Sequence, residues 1–105
     1  MRLLKLMADY QCYPLWGASP GEVGDIDPNS LPLSISLRDQ LMDWADVYDK
    51  TLNWEDPATS GFASVDAADE FKAQGMRLVD RLREELGPEF GVEAKVFAFA
   101  KAGAS

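Results

Sequence analysis

Residues 64–100 read SVDAADEFKAQGMRLVDRLREELGPEFGVEAKVFAFA, and the spacing of their apolar residues changes from a helical period to a strand period. Up to position 86, apolar or small residues recur every three or four positions, which is typical of one face of an α-helix. These positions are Ala68, Phe71, Gly75, Leu78, Leu82 and Leu86. Gly87 and Pro88 end such a helix. Between 91 and 100, Val92, Ala94, Val96 and Ala98 alternate with the other residues, which predicts a strand.

The start of this helix and one glycine inside it carry further information. Ser64 or Asp66 can cap the free amides of the first turn, and nearby acidic residues suit the positive end of the helix dipole. Gly75 costs the helix about 1 kcal/mol in propensity, so it is expected where another backbone approaches closely.

A second amphipathic helix is predicted earlier in the chain, after Leu31-Pro32-Leu33. Ser34 or Ser36 can serve as its N-cap, and Asp39 stands three residues after Ser36 as a partner in a capping box. The helix is expected to end near Asn53. Its apolar stripe comprises Leu37, Leu41, Trp44, Ala45, Tyr48 and Leu52.

The N-terminal third supplies a strand and a long irregular segment. Residues 2–8 form a short apolar run with one lysine and predict a strand, while prolines and glycines between 9 and 32 exclude a long helix. The predicted fold is α+β, in β-α-α-β order, with two helices packed on one face of a two- to three-stranded sheet. Residues 1–105 form one domain, and 101–105 are expected to be a frayed tail. Either 10–16 adds a third strand, or a second copy covers an exposed edge and the chain is a homodimer.

Charge restricts the class of partner. Eighteen acidic and ten basic side chains give a net charge of −8, which repels nucleic acids and anionic lipids and attracts basic proteins. The longest uncharged run, 10–21, is too short for a membrane helix. With one cysteine no internal disulfide can form, and a cytoplasmic location is expected.

Groups that support catalysis are scarce. The chain has no histidine and one cysteine, Cys12, so it lacks the common general base, a histidine-activated nucleophile and thiolate metal clusters. No phosphate-binding glycine motif occurs, and no cofactor, no metal and no enzymatic activity are expected. Asp25 and Asp27 match the first ligands of a calcium loop, but Ser30 and Ser36 occupy its essential glycine and glutamate positions. An enzyme using only carboxylates and a metal would draw on Asp9 together with Asp25 and Asp27.

Two surfaces are candidates for binding a partner. The first is the acidic side of the earlier helix with the segment that follows it, although such charges also occur on helix faces that only meet solvent. Its residues are Asp39, Asp43, Asp46, Asp49, Trp54, Glu55 and Asp56. The second is the aromatic segment with Tyr10, Tyr13 and Trp16, residue types that are frequent at interfaces but that also close the core of a small domain.

Several strings of this sequence together resemble a family of small acidic bacterial proteins. They are DYQCYPLW at 9–16, DIDP at 25–28 with LPLS at 31–34, LN at 52–53 with DP at 56–57, and SGF at 60–62. The family looks like the immunity proteins of polymorphic or contact-dependent growth inhibition toxins. The resemblance covers nearly the whole chain, and it implies a protein that binds a cognate, basic, nuclease-like toxin domain and neutralises it by occlusion. The alternatives are a homodimeric structural or regulatory protein and, ranked last, the carboxylate-only metal enzyme.

Overall fold

The structure is a computed structural model that describes residues 1–52, 55, 61–96, 98 and 100. The described residues form four strands, two α-helices and one 3₁₀ turn. They are β1 (Arg2–Leu6), β2 (Leu15–Gly17), β3 (Asp25–Ile26), the 3₁₀ turn (Pro28–Ser30), α1 (Ile35–Asp49), α2 (Val65–Leu86) and β4 (Phe90–Ala94). The predicted α+β class is confirmed, with a sheet larger than the two or three strands expected.

The sheet is mixed and has the order β3-β2-β1-β4. The outer terminal strand β4 pairs with β1 in parallel, Leu4 beside Val92, and β2 pairs with β1 antiparallel, Leu6 beside Leu15. The 10–16 segment does contribute a strand, and β3 pairs with it in turn. Of the two alternatives that the sequence left open, the additional strand is therefore present, as β2 with β3 beside it, while a homodimer stays a prediction.

One side of the sheet carries the core. Leu4 and Leu6 of β1 are fully buried, whereas Leu3 is exposed, because successive side chains of a strand point to opposite faces. The buried strand residues form one cluster with Leu37 and Leu41 of α1 and with residues of α2. On the other side, the Lys5 ammonium lies 6.0 Å from the centroid of the Trp16 ring.

The predicted stripe of α2 is confirmed, and that of α1 is confirmed from Leu37 to Tyr48, with corrections at the ends of α1. Leu52, predicted as part of the stripe, lies beyond the end of α1 and is half-buried. Ser34, not Ser36, is the N-cap of α1, and its hydroxyl accepts a hydrogen bond from the Leu37 amide at 3.1 Å. Asp39 is therefore not the capping-box partner. That role is taken by Glu85 of α2, whose carboxylate accepts the Ser34 N–H at 2.6 Å. Helix α1 ends at Asp49, and Asn53 lies outside the described residues.

Helix α2 begins after Ser64, whose hydroxyl accepts a hydrogen bond from the Ala67 amide, and ends at Leu86, followed by the C-cap Gly87 with φ 76°. All six predicted core positions of this helix are buried. Strand β4 is shorter than expected, ending at Ala94, because β1 offers no partner residue beyond Leu6. A separate parallel bridge joins Phe62 to Ala100. The expected tail, 101–105, lies outside the described residues.

Candidate partner-binding surface

Three aspartates form an exposed acidic ridge along α1, defined here as Asp39, Asp43 and Asp46. The ridge exists because spacings of four and three residues place side chains on the same side of a helix. Asp46 forms an exposed ion pair with Lys50 at 3.0 Å, and pairs of this kind contribute little to stability. The structure thus brings together three of the seven residues predicted for this surface.

The other four residues of that prediction have different surroundings. Asp49 is half-buried, and its carboxylate accepts the Gln11 backbone N–H at 2.9 Å. It thereby ties α1 to the segment that follows β1. Glu55 is exposed, and Trp54 and Asp56 lie outside the described residues.

An apolar groove borders the acidic ridge on the side facing α2. Its volume is about 480 Å³, within the range of pockets that hold small ligands or inserted side chains. Its lining comprises Gln40, Asp43, Trp44, Val47, Phe62, Ala67, Glu70, Phe71 and Gln74. Sequence reasoning missed this groove. The available signal was Val47, an apolar residue outside the core stripe whose exposure is 48%.

The floor of the groove is a rigid aromatic stack. The rings of Trp44 and Phe71 are almost parallel, with centroids 4.4 Å apart, and Phe62 packs against Phe71 at 5.0 Å. The indole N–H of Trp44 donates to the Phe71 carbonyl at 3.0 Å. Gly75 makes room for the indole, since a Cβ atom there would lie 3.0 Å from Trp44 Cζ2. The close approach predicted at Gly75 is therefore made by a side chain rather than by another backbone.

The second predicted surface is divided between different parts of the molecule. Tyr10 stacks on Tyr48 with centroids 4.7 Å apart, and its hydroxyl is hydrogen-bonded to Thr51 Oγ1 at 2.9 Å. Trp16 lies on the sheet face away from the helices and donates its indole N–H to the Met7 carbonyl. Tyr13 is exposed, beside Asp25. The three residues do not share one surface.

A second cleft lies on the opposite side of α1 and contains Cys12. It has a volume of about 370 Å³ and includes Asp25, Asp46 and Asp49 in its lining. Burial raises the pKa of the Cys12 thiol, and the charges of Asp9, Asp25 and Asp49 raise it further. The thiol is consequently protonated at neutral pH and is a poor nucleophile.

The three loop aspartates considered as metal ligands each accept a hydrogen bond from a backbone N–H group. Asp27 caps the 3₁₀ turn by accepting the Asn29 amide, Asp25 accepts the Tyr13 amide, and Asp9 accepts the Tyr10 amide. Within the described part of the chain, no group of three or more Asp, Glu, Cys or His side chains is arranged to hold a metal ion. The helices described there also include none that is sufficiently long and apolar to cross a bilayer.

These features define a small acidic α+β protein with a carboxylate-bordered apolar groove between its helices. The family model described as Serratia CdiI immunity protein-like matches residues 2–95. The chain belongs to this family, so the resemblance noted in the sequence is confirmed. Comparison with curated proteins finds no match.

Proposed function

We propose that this protein is an immunity protein that binds the toxin domain of its own contact-dependent inhibition system and neutralises it by occlusion. The match to the immunity family over residues 2–95 carries the proposal. It acts by binding rather than by catalysis, and it does so in the cytoplasm.

The charge of the molecule supports a basic toxin domain as the partner. With a net charge of −8, the protein attracts a cationic surface and accelerates its arrival at low salt. The acidic ridge concentrates three of these charges on one exposed side of α1. A nuclease-like domain, which is positively charged in order to bind a phosphate backbone, has the complementary surface.

The test is binding to the C-terminal domain encoded by the neighbouring toxin gene, measured by surface plasmon resonance at low and high salt. The variant Asp43→Lys/Asp46→Lys reverses two charges of the acidic ridge. We expect its association rate to fall about tenfold at low salt, with a smaller difference at high salt, because long-range attraction is screened.

The control is Asp80→Lys/Glu84→Lys on the exposed back of α2, which changes the net charge by the same amount. If both double variants slow association equally, the acidic ridge has no special role. If the wild-type protein does not bind the toxin domain, the proposed function is wrong.

A further inference from the structure

The two ends of the antiparallel α1/α2 pair differ in the charges that face each other. At the closed end, Glu85 accepts both the backbone N–H and the hydroxyl of Ser34, at 2.6 and 2.8 Å. About one helical turn further along the pair, Arg81 donates to the Gln40 side chain at 2.9 Å. Each contact joins a donor on one helix to an acceptor on the other, and together they close this end.

At the open end, the groove separates two carboxylates. Asp43 of α1 and Glu70 of α2 both line it. Two anions cannot form a hydrogen bond or an ion pair with each other, and their repulsion opposes closure. Among the described residues of α2, none forms with Asp43 a hydrogen bond of the kind that joins Arg81 to Gln40.

Glu70 is paired with a cation of its own helix. Arg77 contacts Glu70 at 3.0 Å and Gln74 at 2.8 Å, both on its own helix. Its ion pair with Glu70 is exposed, with 58% of the Arg77 side chain and 73% of the Glu70 side chain accessible. Such a pair exchanges readily for another cation, since exposed ion pairs are worth less than about 1 kcal/mol.

Between the carboxylates, the groove is apolar and aromatic. Trp44 and Phe71 form its floor, and Val47 presents an apolar surface to solvent at the edge. An arginine side chain is complementary to this groove, because it combines an apolar stem with a positively charged end. Its methylene stem packs on apolar surface, its guanidinium stacks on aromatic rings, and its N–H groups bind carboxylates in pairs.

We propose that the groove between α1 and α2 is the anchor site of the toxin complex and receives an arginine side chain of the basic partner. The guanidinium binds Asp43 and Glu70 at the edge, and the stem lies over Val47 and the aromatic floor. This inference rests on the proposed function, because it supplies the contact through which that partner is held. Arginine residues that insert into pockets are frequent hot spots of protein interfaces.

Two matched variants test the position of the anchor. Val47→Arg places a cation at the edge of the groove, and Met42→Arg places the same side chain on the opposite side of the acidic ridge. The two native residues are similarly exposed, at 48% and 40%, so both variants are expected to fold. We expect Val47→Arg to raise the Kd for the toxin domain at least about tenfold and Met42→Arg less than about threefold. Equal losses, or no loss with Val47→Arg, would overturn the proposal.

A titration without the toxin keeps this inference separate from the proposed function. The probes are N-acetyl-arginine methylamide and its uncharged analogue N-acetyl-citrulline methylamide, observed by NMR at the Val47 methyl groups and the Trp44 indole N–H. We expect the arginine probe to shift these signals and the citrulline probe to shift them less. Equal shifts with both probes, or none, would reject the groove as an arginine site, even if the toxin domain binds elsewhere. If the toxin domain does not bind, this titration still decides whether the groove takes arginine.

Discussion

The closed and open ends of the α1/α2 pair differ in how their polar side chains are matched across the two helices. At the closed end, Ser34 and Glu85 are joined by two hydrogen bonds. At the open end, Asp43 and Glu70 border a groove of about 480 Å³. The helices are in contact where a charged side chain of α2 meets a neutral hydrogen-bonding group on the α1 side. A groove remains where two carboxylates line the space between them.

The largest effect is expected from removing the indole on the floor of the groove. Trp44 is 3% exposed, stacks on Phe71 and donates to the Phe71 carbonyl. Trp44→Ala should lower the free energy of unfolding by about 3–5 kcal/mol, because it leaves a cavity and an unfilled contact between the helices. Chemical denaturation followed by circular dichroism measures this loss.

Trp16→Ala provides the control for that substitution. Trp16 also donates its indole N–H to a backbone carbonyl, but it lies half-buried on the sheet face away from the helices. Trp16→Ala should therefore lower the free energy of unfolding clearly less than Trp44→Ala does. Equal losses of unfolding free energy in the two variants would mean that the aromatic stack under the groove does not stabilise the fold more than the indole of Trp16 does.

A smaller effect is expected at the closed end. Ser34→Ala removes the N-cap of α1 and the hydroxyl that donates to Glu85, and should cost about 1–2 kcal/mol of unfolding free energy. The control is Ser36→Ala, since Ser36 is exposed in the first turn of the same helix. It should stay within about 0.5 kcal/mol of the wild type. Comparable losses in both variants would contradict the assignment of Ser34 as the cap.

The same contact makes the closed end sensitive to pH. The Ser34 backbone N–H is the main cause that lowers the pKa of Glu85 below its ordinary value of 4.5, with the Ser34 hydroxyl and Arg81 adding to it and burial opposing it. The resulting stabilisation is fully present above pH 4.5 and is lost as the pH falls through the lowered pKa. Denaturation series should show the difference between wild type and Glu85→Gln shrinking over that interval. A difference independent of pH would contradict this role for the carboxylate.

Local sequence patterns predicted much of the fold. The buried stripes of both helices, the start of α2 at Ser64 and the strand after Pro88 follow from periodicity and capping, which depend on neighbouring residues. The pairing of β3 with β2 and the completion of the α1 cap by Glu85 were not predictable in this way. Glu85 lies 51 positions from Ser34, and β3 has only two residues, too few to show the period of a strand.

The candidate site was predictable only in part. The exposure of Asp39, Asp43 and Asp46 follows from helical spacing, but Asp49 binds the Gln11 amide, a contact that spacing within α1 cannot reveal. The groove was missed because it depends on which residues of α2 face α1. Contacts between the helices fix that register, among them the packing of Trp44 beside Gly75 and the hydrogen bond of Arg81 to Gln40. They bring Asp43 and Glu70 to the same groove.

The smallest effect on stability, and the most informative about the two ends, is expected from Asp43→Lys. This change replaces the like charges on the two sides of the groove by opposite ones, since a lysine at position 43 can pair with Glu70 across the groove. Stability should rise by no more than about 0.5 kcal/mol, because the pair is exposed, and the gain should disappear at high salt. Affinity for the arginine probe should fall, since one carboxylate is gone and the other is neutralised. A variant that gains the ion pair yet still binds the probe as the wild type does would show that the like charges of Asp43 and Glu70 are not what opens this end to a cation.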